Sequence, residues 1–171
     1  MSLETLNQKL ERYKNEIRDN VKNKNLKEAW KYVFLYKATC KAHNKPYDNE
    51  FFSLEKSFKK GVITSLQWDA VNYLKKNDLR KSGDALFLIL KKCEEWSMGL
   101  PRTYNDLKTV WEQKWINNYI NEINELVNKR MKNEARNKLN NLLWLVENKK
   151  KTPDKKNKSK IEGLQELLFE D

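Results

Sequence analysis

The chain has 171 residues, about the length of one domain with a short tail. Apolar residues make up 39% and charged residues 35%, and the net charge is +11; six Trp, seven Tyr and six Phe nevertheless exclude a disordered composition. The longest apolar run, Ala85 to Leu90, is far shorter than the roughly 20 residues of a bilayer span, so we expect no transmembrane segment.

Apolar residues recur at helical spacing along the chain, and only four Gly and three Pro interrupt them. This pattern predicts an all-α protein of about seven helices, spanning roughly residues 3–22, 26–43, 49–76, 79–97, 104–130, 133–148 and 160–169. Asp48 and Asp78 suit the N-cap positions of the third and fourth helices, and Ser159 with Glu162 forms a capping box for the seventh. We accordingly divide the chain into a helical-repeat domain (1–148), a basic linker (149–159) and a C-terminal capping helix (160–171).

The helices repeat at a spacing of 53 residues. In the second and fourth helices, Leu26, Val33, Phe34, Leu35 and Cys40 align with Leu79, Leu86, Phe87, Leu88 and Cys93. The sixth helix joins at a shift of 56, which aligns Leu142, Leu143 and Trp144 with Leu86, Phe87 and Leu88. The repetition predicts stacked antiparallel helix pairs in a right-handed α-solenoid, and an irregular helical bundle is the alternative fold.

The segment NLKEAWKYVFLYKA, residues 25–38, resembles the second helix of a tetratricopeptide repeat. It has a large apolar Leu26, a small Ala29 and an apolar Val33 at that family's spacing, although Tyr36 stands where the family prefers a small residue. The family's period is also shorter, roughly 34 residues. The resemblance implies stacked helix pairs that bind peptides or partner proteins, and it brings no catalytic residues.

The fourth helix is apolar around most of its circumference, which is typical of a buried helix. We therefore expect it to lie at the centre of the fold, and we expect Leu86→Ala or Phe87→Ala to cost about 2–5 kcal/mol. On the second helix, Trp30 and Phe34 widen the predicted core face.

Four apolar side chains lie away from the predicted core faces. Leu35, Leu88 and Trp144 are on the far sides of their helices, and Trp68 lies opposite the apolar face of the third helix. Exposed apolar rows mark partner sites, so these four are candidate partner-binding residues. Alternatively, the seventh helix folds back and covers them with its apolar face.

Lysine supplies 29 of the 35 basic residues, and there are 21 Asn, a bias that AT-rich codon usage by itself produces. More than half of the positive excess lies in residues 149–160, which hold seven Lys and one Asp. The candidate contacts for an anionic partner are Lys149, Lys150, Lys151, Lys155, Lys156, Lys158 and Lys160.

The residues that carry enzyme chemistry are scarce. The sequence has no phosphate-binding glycine motif and no G-x-S-x-G, and His43 is the single histidine. Cys40 and Cys93 lack the further ligands of a zinc site, and their equivalent repeat positions predict two buried free thiols. We therefore expect no enzyme, no cofactor and no metal. Free thiols, and the absence of an apolar leader in the first residues, predict a reducing, cytoplasmic setting.

Two classes of function remain. The first is a non-catalytic adaptor whose helical-repeat surface holds a protein or peptide partner. The alternative is an RNA- or DNA-binding protein that uses the Lys run, the basic first two helices and stacking rings such as Tyr13, Tyr32 and Trp68. Binding of the Lys run to an anionic membrane surface is a third option. The sequence leaves the identity of the partner and the oligomeric state open.

Overall fold

The computed structural model describes residues 4–148 and 150–169. Over these residues the protein is all-α, without strands, and its helices pack in pairs. They are α1 (Leu6–Lys22), α2 (Leu26–Ala42), α3 (Asn49–Lys75), α4 (Leu79–Glu95), α5 (Tyr104–Asn128), α6 (Lys132–Glu147) and α7 (Lys155–Phe169). The predicted fold class is confirmed. Among the helices of the described ranges, none has the length and hydropathy that a membrane span requires.

The chain forms two compact units that share two helices. Unit 1 contains the residues up to Trp68 together with Leu88–Met98, and unit 2 contains Asp69–Phe87 and the residues from Gly99 onward. Helices α3 and α4 therefore each contribute one end to unit 1 and the other end to unit 2.

Unit 1 is built around the packing of α1 against α2 and the beginning of α3. Tyr36 of α2 is fully buried and stacks on Phe51 of α3, with ring centroids 4.0 Å apart and the ring planes inclined by 6°. The other core residues recur at helical spacing on the inner faces of the three helices: Leu10, Tyr13, Ile17, Ala29, Val33, Cys40 and Phe58.

A buried lysine joins α1 to the beginning of α3. The Lys14 ammonium donates hydrogen bonds to Glu11 at 2.7 Å, Asp48 at 3.0 Å and Glu50 at 2.6 Å. Burial alone lowers the pKa of Lys14, but the hydrogen bonds to the three carboxylates outweigh it and raise that pKa above its usual range. The same ammonium helps to hold the pKa values of Asp48 and Glu50 below theirs.

Unit 2 has its own apolar core among α5, α6 and α7. The buried residues are Ile116, Ile120, Ile123, Ala135, Leu139, Leu142, Ile161, Leu164 and Leu168. At the other end of this unit, the buried Ser82 hydroxyl of α4 donates to the carbonyl of Ala70 on α3 at 3.1 Å. This hydrogen bond satisfies a polar group that would otherwise be buried without a partner.

Three turns between helices recur every 53 residues. The helices before them end at Lys22, Lys75 and Asn128, and the helices after them begin at Leu26, Leu79 and Lys132. Each turn holds one residue with a left-handed backbone: φ is 58° at Lys24, 57° at Asn77 and 59° at Arg130. The residue after it then donates its backbone N–H to the carbonyl five residues earlier: Asn25 to Asn20, Asp78 to Tyr73 and Met131 to Leu126. This is the pattern of a Schellman C-cap.

The predicted shift of 56 for the sixth helix is wrong. The turns fix α6 at a spacing of 53, as do the small, fully buried residues Ala29, Ser82 and Ala135 one turn into α2, α4 and α6. An alignment based on apolar runs alone misplaces α6 by almost one helical turn, because the apolar residues of α6 continue into its next turn. Trp144 consequently corresponds to Ala38 and Lys91, and not to Leu35 and Leu88.

The predicted beginning of the seventh helix at residue 160 is also wrong. Helix α7 starts at Lys155, so the non-helical part of the predicted linker is short and three of its lysines are helical. Asp154 is the cap: its carboxylate accepts from the N–H of Asn157 at 2.8 Å, and its carbonyl accepts from the N–H of Lys158 at 2.8 Å. An Asp N-cap directly after Pro153 outweighs the later Ser159 capping box.

The expectation that α4 is buried all round is corrected as well. Leu86 is 4% exposed, but its neighbours Phe87 and Leu88 are 63% and 42% exposed. Phe34 on α2 is exposed too and does not widen the core face, whereas the half-exposed Trp30 ring stacks on the buried Phe58 ring. An apolar circumference permits burial on two sides, but it does not supply a second neighbour to cover the helix.

Candidate partner-binding cleft

The four predicted partner residues do not form one site. Trp68, Leu88 and Trp144 are exposed, whereas Leu35 is half-buried and packs against the core of unit 1. Trp68 and Leu88 belong to unit 1 and Trp144 to unit 2. None of them lines either of the two cavities that follow.

The predicted anionic contacts divide into exposed and bound lysines. Lys150, Lys155, Lys156 and Lys158 are exposed, and Lys149 lies outside the described residues. The other two are half-buried. Lys160 donates to the side chain of Asn117 at 2.6 Å, and Lys151 lies over two tryptophan rings of α5.

A cleft of about 520 Å³ opens in unit 2 between the beginning of α4 and the middle of α5. We call it the α4–α5 cleft. It is lined by Leu79, Arg80, Gly83, Asp84, Trp111, Trp115, Asn118, Tyr119 and Glu122. Three of these nine residues are aromatic and three are charged, so the cleft combines a wide apolar floor with a few polar groups.

The aromatic floor follows from the spacing of residues on α5. Trp111, Trp115 and Tyr119 are each four residues apart, which places them on one face of the helix. The rings of Trp115 and Tyr119 stack with centroids 4.9 Å apart. All three side chains are half-buried, so part of each ring remains open to the cleft. Sequence reasoning missed this surface, although the regular spacing of its three rings was visible.

Trp111 is held in place by two features of α4. Its indole N–H donates to the carbonyl of Leu79 at 2.7 Å. A Cβ atom at Gly83 would lie only 3.0 Å from Cζ2 of the indole. The ring therefore lies directly against the backbone of α4, in the space that a side chain at residue 83 would need. The ring is thus fixed before any partner arrives, which lowers the entropy lost on binding.

The charges at the cleft are mixed. Arg80 and Asp84 lie on α4, and Glu122 lies on α5. Glu122 forms an ion pair with Lys138 of α6, whose ammonium is 4.8 Å from the centroid of the Tyr119 ring. The lining itself therefore carries two carboxylates and one guanidinium.

Lys151, in the loop before α7, packs on the rings of Trp111 and Trp115. Its ammonium lies 4.1 Å from the ring centroid of Trp111 and 5.1 Å from that of Trp115. Burial lowers the pKa of Lys151, which the negative charge of Glu112 partly opposes. Gln113 fixes the loop because its side chain donates to the Thr152 carbonyl at 2.7 Å and accepts from the Asp154 N–H at 2.8 Å.

The second cavity, about 480 Å³, lies in unit 1 and is lined by Cys40, Lys41, Asn44, Lys45, Pro46 and Tyr47. Cys40 and Cys93 are both buried free cysteines, as predicted. Burial raises the pKa of the Cys40 thiol, which disfavours the nucleophilic thiolate. Over residues 4–148 and 150–169, no cluster of three or more His, Cys, Asp or Glu side chains is placed to hold a metal ion.

The α4–α5 cleft is suited to noncovalent recognition. Its rings provide area for a planar or apolar group, and its charged edge provides hydrogen-bond partners that orient that group. Comparison of the chain with protein-family models, curated proteins and solved structures yields no match.

Proposed function

We propose that this chain is a non-catalytic binding protein that holds a protein or peptide partner in the α4–α5 cleft. The observation that carries the proposal is the row formed by Trp111, Trp115 and Tyr119, three partly open rings on one face of α5. Trp and Tyr are the side chains most enriched among the residues that dominate protein–protein binding energy. The tetratricopeptide-like segment of α2 is in keeping with such a role.

The charges of the cleft lining are close to balanced, since Arg80 accompanies Asp84 and Lys138 pairs with Glu122. A phosphate group needs an excess of positive charge, which this lining does not concentrate, so the lining suits a polypeptide better than a nucleic acid. A side chain from a partner protein carries no phosphate charge into the cleft. Carboxylates there can also accept hydrogen bonds from backbone or side-chain N–H groups.

The proposal is tested by affinity capture from a lysate of the source cells. Wild-type chain is compared with Trp115→Ala, which removes one ring of the floor. The matched control is Trp144→Ala, because Trp144 is exposed on the same unit but does not line the cleft. We expect mass spectrometry to find a protein that wild type and Trp144→Ala retain and that Trp115→Ala loses. Identical retention by all three proteins contradicts the proposal.

Nucleic-acid binding is the second candidate, because Lys150, Lys155, Lys156 and Lys158 are exposed around the beginning of α7. Its test is titration of labelled single-stranded RNA and duplex DNA at increasing salt. Residues 161–168 of α7 contribute to the core of unit 2, so charge reversal is preferable to truncation. The variant is Lys155→Glu with Lys156→Glu and Lys158→Glu. The control reverses three exposed lysines elsewhere, Lys56, Lys60 and Lys91.

Under our proposal, nucleic acid binds only at low salt and both triple variants weaken it alike. The opposite result is submicromolar binding near physiological salt that only the α7 variant weakens. The slope of log affinity against log salt then falls by about 0.7–0.9 for each lost phosphate contact, and nucleic acid becomes the leading function.

A further inference from the structure

We propose that the outer face of α2 is a docking surface for an amphipathic helix of a partner protein, with acidic side chains on both sides of its apolar stripe. This surface lies in unit 1, whereas the α4–α5 cleft lies in unit 2. The residues of α2 that face away from the core are Lys27, Trp30, Lys31, Phe34, Lys37, Ala38 and Lys41. All seven are basic or apolar, so the surface suits a partner that supplies apolar area and negative charge.

An apolar row runs along the middle of this face. Trp30, Phe34 and Ala38 are each four residues apart, which places them in one row along the helix. We call this row the α2 ridge. Trp30 is 49% and Phe34 is 62% exposed, and Ala38 is exposed as well. A partner helix packs on such a ridge by fitting it into the groove between two rows of its own side chains.

Lysines form the neighbouring rows on both sides of the α2 ridge. Lys27 and Lys31 are four residues apart on one side, and Lys37 and Lys41 are four residues apart on the other. An apolar row between two charged rows is the arrangement of a two-helix interface, in which the flanking charges select the partner. A partner selected by these lysines carries glutamate or aspartate at its own flanking positions.

The carboxylates around these lysines are fewer than the lysines themselves. Glu28 pairs with Lys31 at 3.4 Å, and because both side chains are exposed this ion pair is weak. Glu55 of α3 pairs with Lys37 at 2.8 Å, but it also pairs with Lys59 at 3.0 Å. The other two lysines of the face are exposed. The surface therefore keeps a positive charge that an acidic partner would neutralise.

The Trp30 indole is positioned before a partner binds. Its ring stacks on the buried Phe58 ring, with centroids 5.7 Å apart and planes inclined by 25°. Phe58 in turn contacts Trp96 of α4, with ring centroids 6.3 Å apart. A ring fixed in this way loses little entropy on binding, so Trp30 is suited to anchor a partner.

The equivalent face of α4 lacks this combination. At the spacing of 53, Asp84 and Glu94 replace two of the four lysines, and Gly83 replaces the tryptophan. Phe87 takes the position of Phe34 and is 63% exposed. The two helices thus share an exposed phenylalanine but differ in the charges around it, and Phe87 provides a matched control for Phe34.

A helix fits the outer face of α2 better than a nucleic acid does. Single-stranded nucleic acid binds in positively charged grooves, where ring faces stack on successive bases. Here the lysines lie along the outside of one helix, and Phe58 already stacks on the Trp30 ring. A second copy of this chain is disfavoured as the partner, because each copy has a net charge of +11.

The experiment measures binding of the full chain to three labelled helical peptides by fluorescence anisotropy. The first peptide has a stripe of leucines flanked by glutamates. The second has lysines in place of the glutamates, and the third has serines in place of the leucines. We expect the first peptide to bind at least about tenfold more tightly than either of the others at physiological salt.

Substitutions of the exposed phenylalanines locate the bound peptide. Phe34→Ser should weaken binding of the first peptide at least about tenfold, because it removes the middle of the α2 ridge. Phe87→Ser changes the equivalent residue of α4 and should leave the affinity within about threefold of wild type. Both side chains are mostly in solvent, so neither change removes core packing.

Charge reversal tests the lysine rows. Lys27→Glu combined with Lys41→Glu should weaken the first peptide at least about tenfold and reduce the salt dependence of its binding. The control is Lys155→Glu combined with Lys156→Glu, which changes the net charge equally through two exposed lysines of α7. It should leave the affinity within about threefold of wild type.

Equal binding of the first and second peptides, or no binding of the first, overturns the inference. An equal loss with Phe34→Ser and Phe87→Ser also overturns it, because the peptide then does not select α2. Displacement of the peptide by single-stranded RNA at physiological salt, or an oligomer of the chain that Phe34→Ser dissociates, assigns the face to another occupant and overturns it too. The proposed function of the α4–α5 cleft depends on Trp115 and fails separately, when no captured protein requires that ring.

Discussion

Single side chains of this protein divide sharply between those that the fold requires and those that it leaves exposed. Lys14 is the clearest required charge, because its ammonium is buried and bonds to three carboxylates that are themselves partly exposed. Without it, Asp48 would lose this ion pair and Glu50 would keep only its pair with Arg18. This cluster should therefore make the stability of unit 1 sensitive to acid.

We expect Lys14→Met to lower the free energy of unfolding by about 1–3 kcal/mol at pH 7. Burial raises the pKa of Asp48, but the hydrogen bonds from the Phe51 N–H and the Lys14 ammonium outweigh it and lower that pKa in the folded state; the ammonium also lowers the pKa of Glu50. Their stabilising contribution is present above the ordinary carboxyl pKa of about 4 and is lost as pH falls through the folded-state values. The difference between variant and wild type should thus shrink between pH 7 and pH 3 in urea unfolding.

The control for this measurement is Lys31→Met, because Lys31 pairs with Glu28 at 3.4 Å and both side chains are exposed. It should change stability by less than about 1 kcal/mol at either pH. A deficit for Lys14→Met that stays the same at pH 3 would show that lost packing, and not the ion cluster, causes it.

Leu86 and Phe87 are adjacent on α4 but should lose very different amounts of stability on truncation. Leu86→Ala removes a buried side chain and should cost about 2–5 kcal/mol. Phe87→Ala removes a ring that is mostly in solvent and should cost less than about 1 kcal/mol. Guanidinium unfolding of the two variants checks this, and a large loss for Phe87→Ala would mean that another surface covers the ring.

At the scale of elements, the ends of the helices define the repeat spacing more precisely than the helix interiors do. The three turns at Lys24, Asn77 and Arg130 share one backbone conformation and one closing hydrogen bond, although three different residues occupy the left-handed position. None of them is glycine, so each turn holds strain that a glycine would relieve.

Replacing these residues by glycine should therefore stabilise the protein. We expect Lys24→Gly and Arg130→Gly each to raise the free energy of unfolding by about 0.5–1 kcal/mol. Asn77→Gly should raise it less, since Asn adopts the left-handed conformation more readily. Thermal unfolding, followed by circular dichroism, measures the order of these three stability changes. Lys56→Gly, at an exposed position inside α3, is the control and should destabilise by about 1 kcal/mol. A loss of stability on Arg130→Gly contradicts the explanation.

The beginning of α7 gives a second prediction at this scale. Asp154→Ala removes the carboxylate that accepts from the N–H of Asn157 and should cost about 1 kcal/mol. Ser159→Ala changes a helical, exposed residue and should cost less than about 0.5 kcal/mol. Urea unfolding of the two variants distinguishes the observed cap from the one that the sequence favours, and the reverse order of effects would restore the later helix start.

The whole molecule is organised as two units with two helices in common. Because α3 and α4 pass from one unit to the other, neither unit is a continuous segment of chain. Each unit also holds three of the six tryptophans: Trp30, Trp68 and Trp96 in unit 1, and Trp111, Trp115 and Trp144 in unit 2. Indole emission therefore reports on both units.

Shared helices predict that the two units unfold together. We expect Leu139→Ala, a change in the core of unit 2, to move the unfolding midpoints from circular dichroism and from indole fluorescence by the same amount. Val33→Ala, the equivalent position in unit 1, should do likewise. Two separate transitions, with only one of them moved by each variant, would show that the units unfold independently.

The sequence predicts the helices well because helix-forming patterns are local. The second helix was expected over residues 26–43 and is α2, Leu26–Ala42, and the spacing of 53 reappears in the helix ends. Burial was predicted less well, as Phe87 shows, because periodicity reveals which face of a helix is apolar but not how many neighbours cover it. Lys151 was a predicted binding residue, yet its position over Trp111 depends on a loop whose path the sequence does not specify.

The α4–α5 cleft illustrates the same limit. Aligning the repeats at 53 pairs Trp30 with Gly83 directly, so the missing side chain is visible in the sequence. That the Trp111 ring lies against Gly83, in the space that a side chain at residue 83 would need, depends on how α4 packs against α5. Only the structure provides that contact.

Gly83 also has a genetic consequence. A single base change converts the tryptophan codon into a glycine codon, so one copy of a duplicated helix pair can lose its indole on α4 in one mutational step. A larger ring from α5 can then lie directly against the exposed backbone, as Trp111 does at Gly83. Two copies of one helix pair can thus come to differ in their surface by the loss of one side chain, without any new loop or insertion.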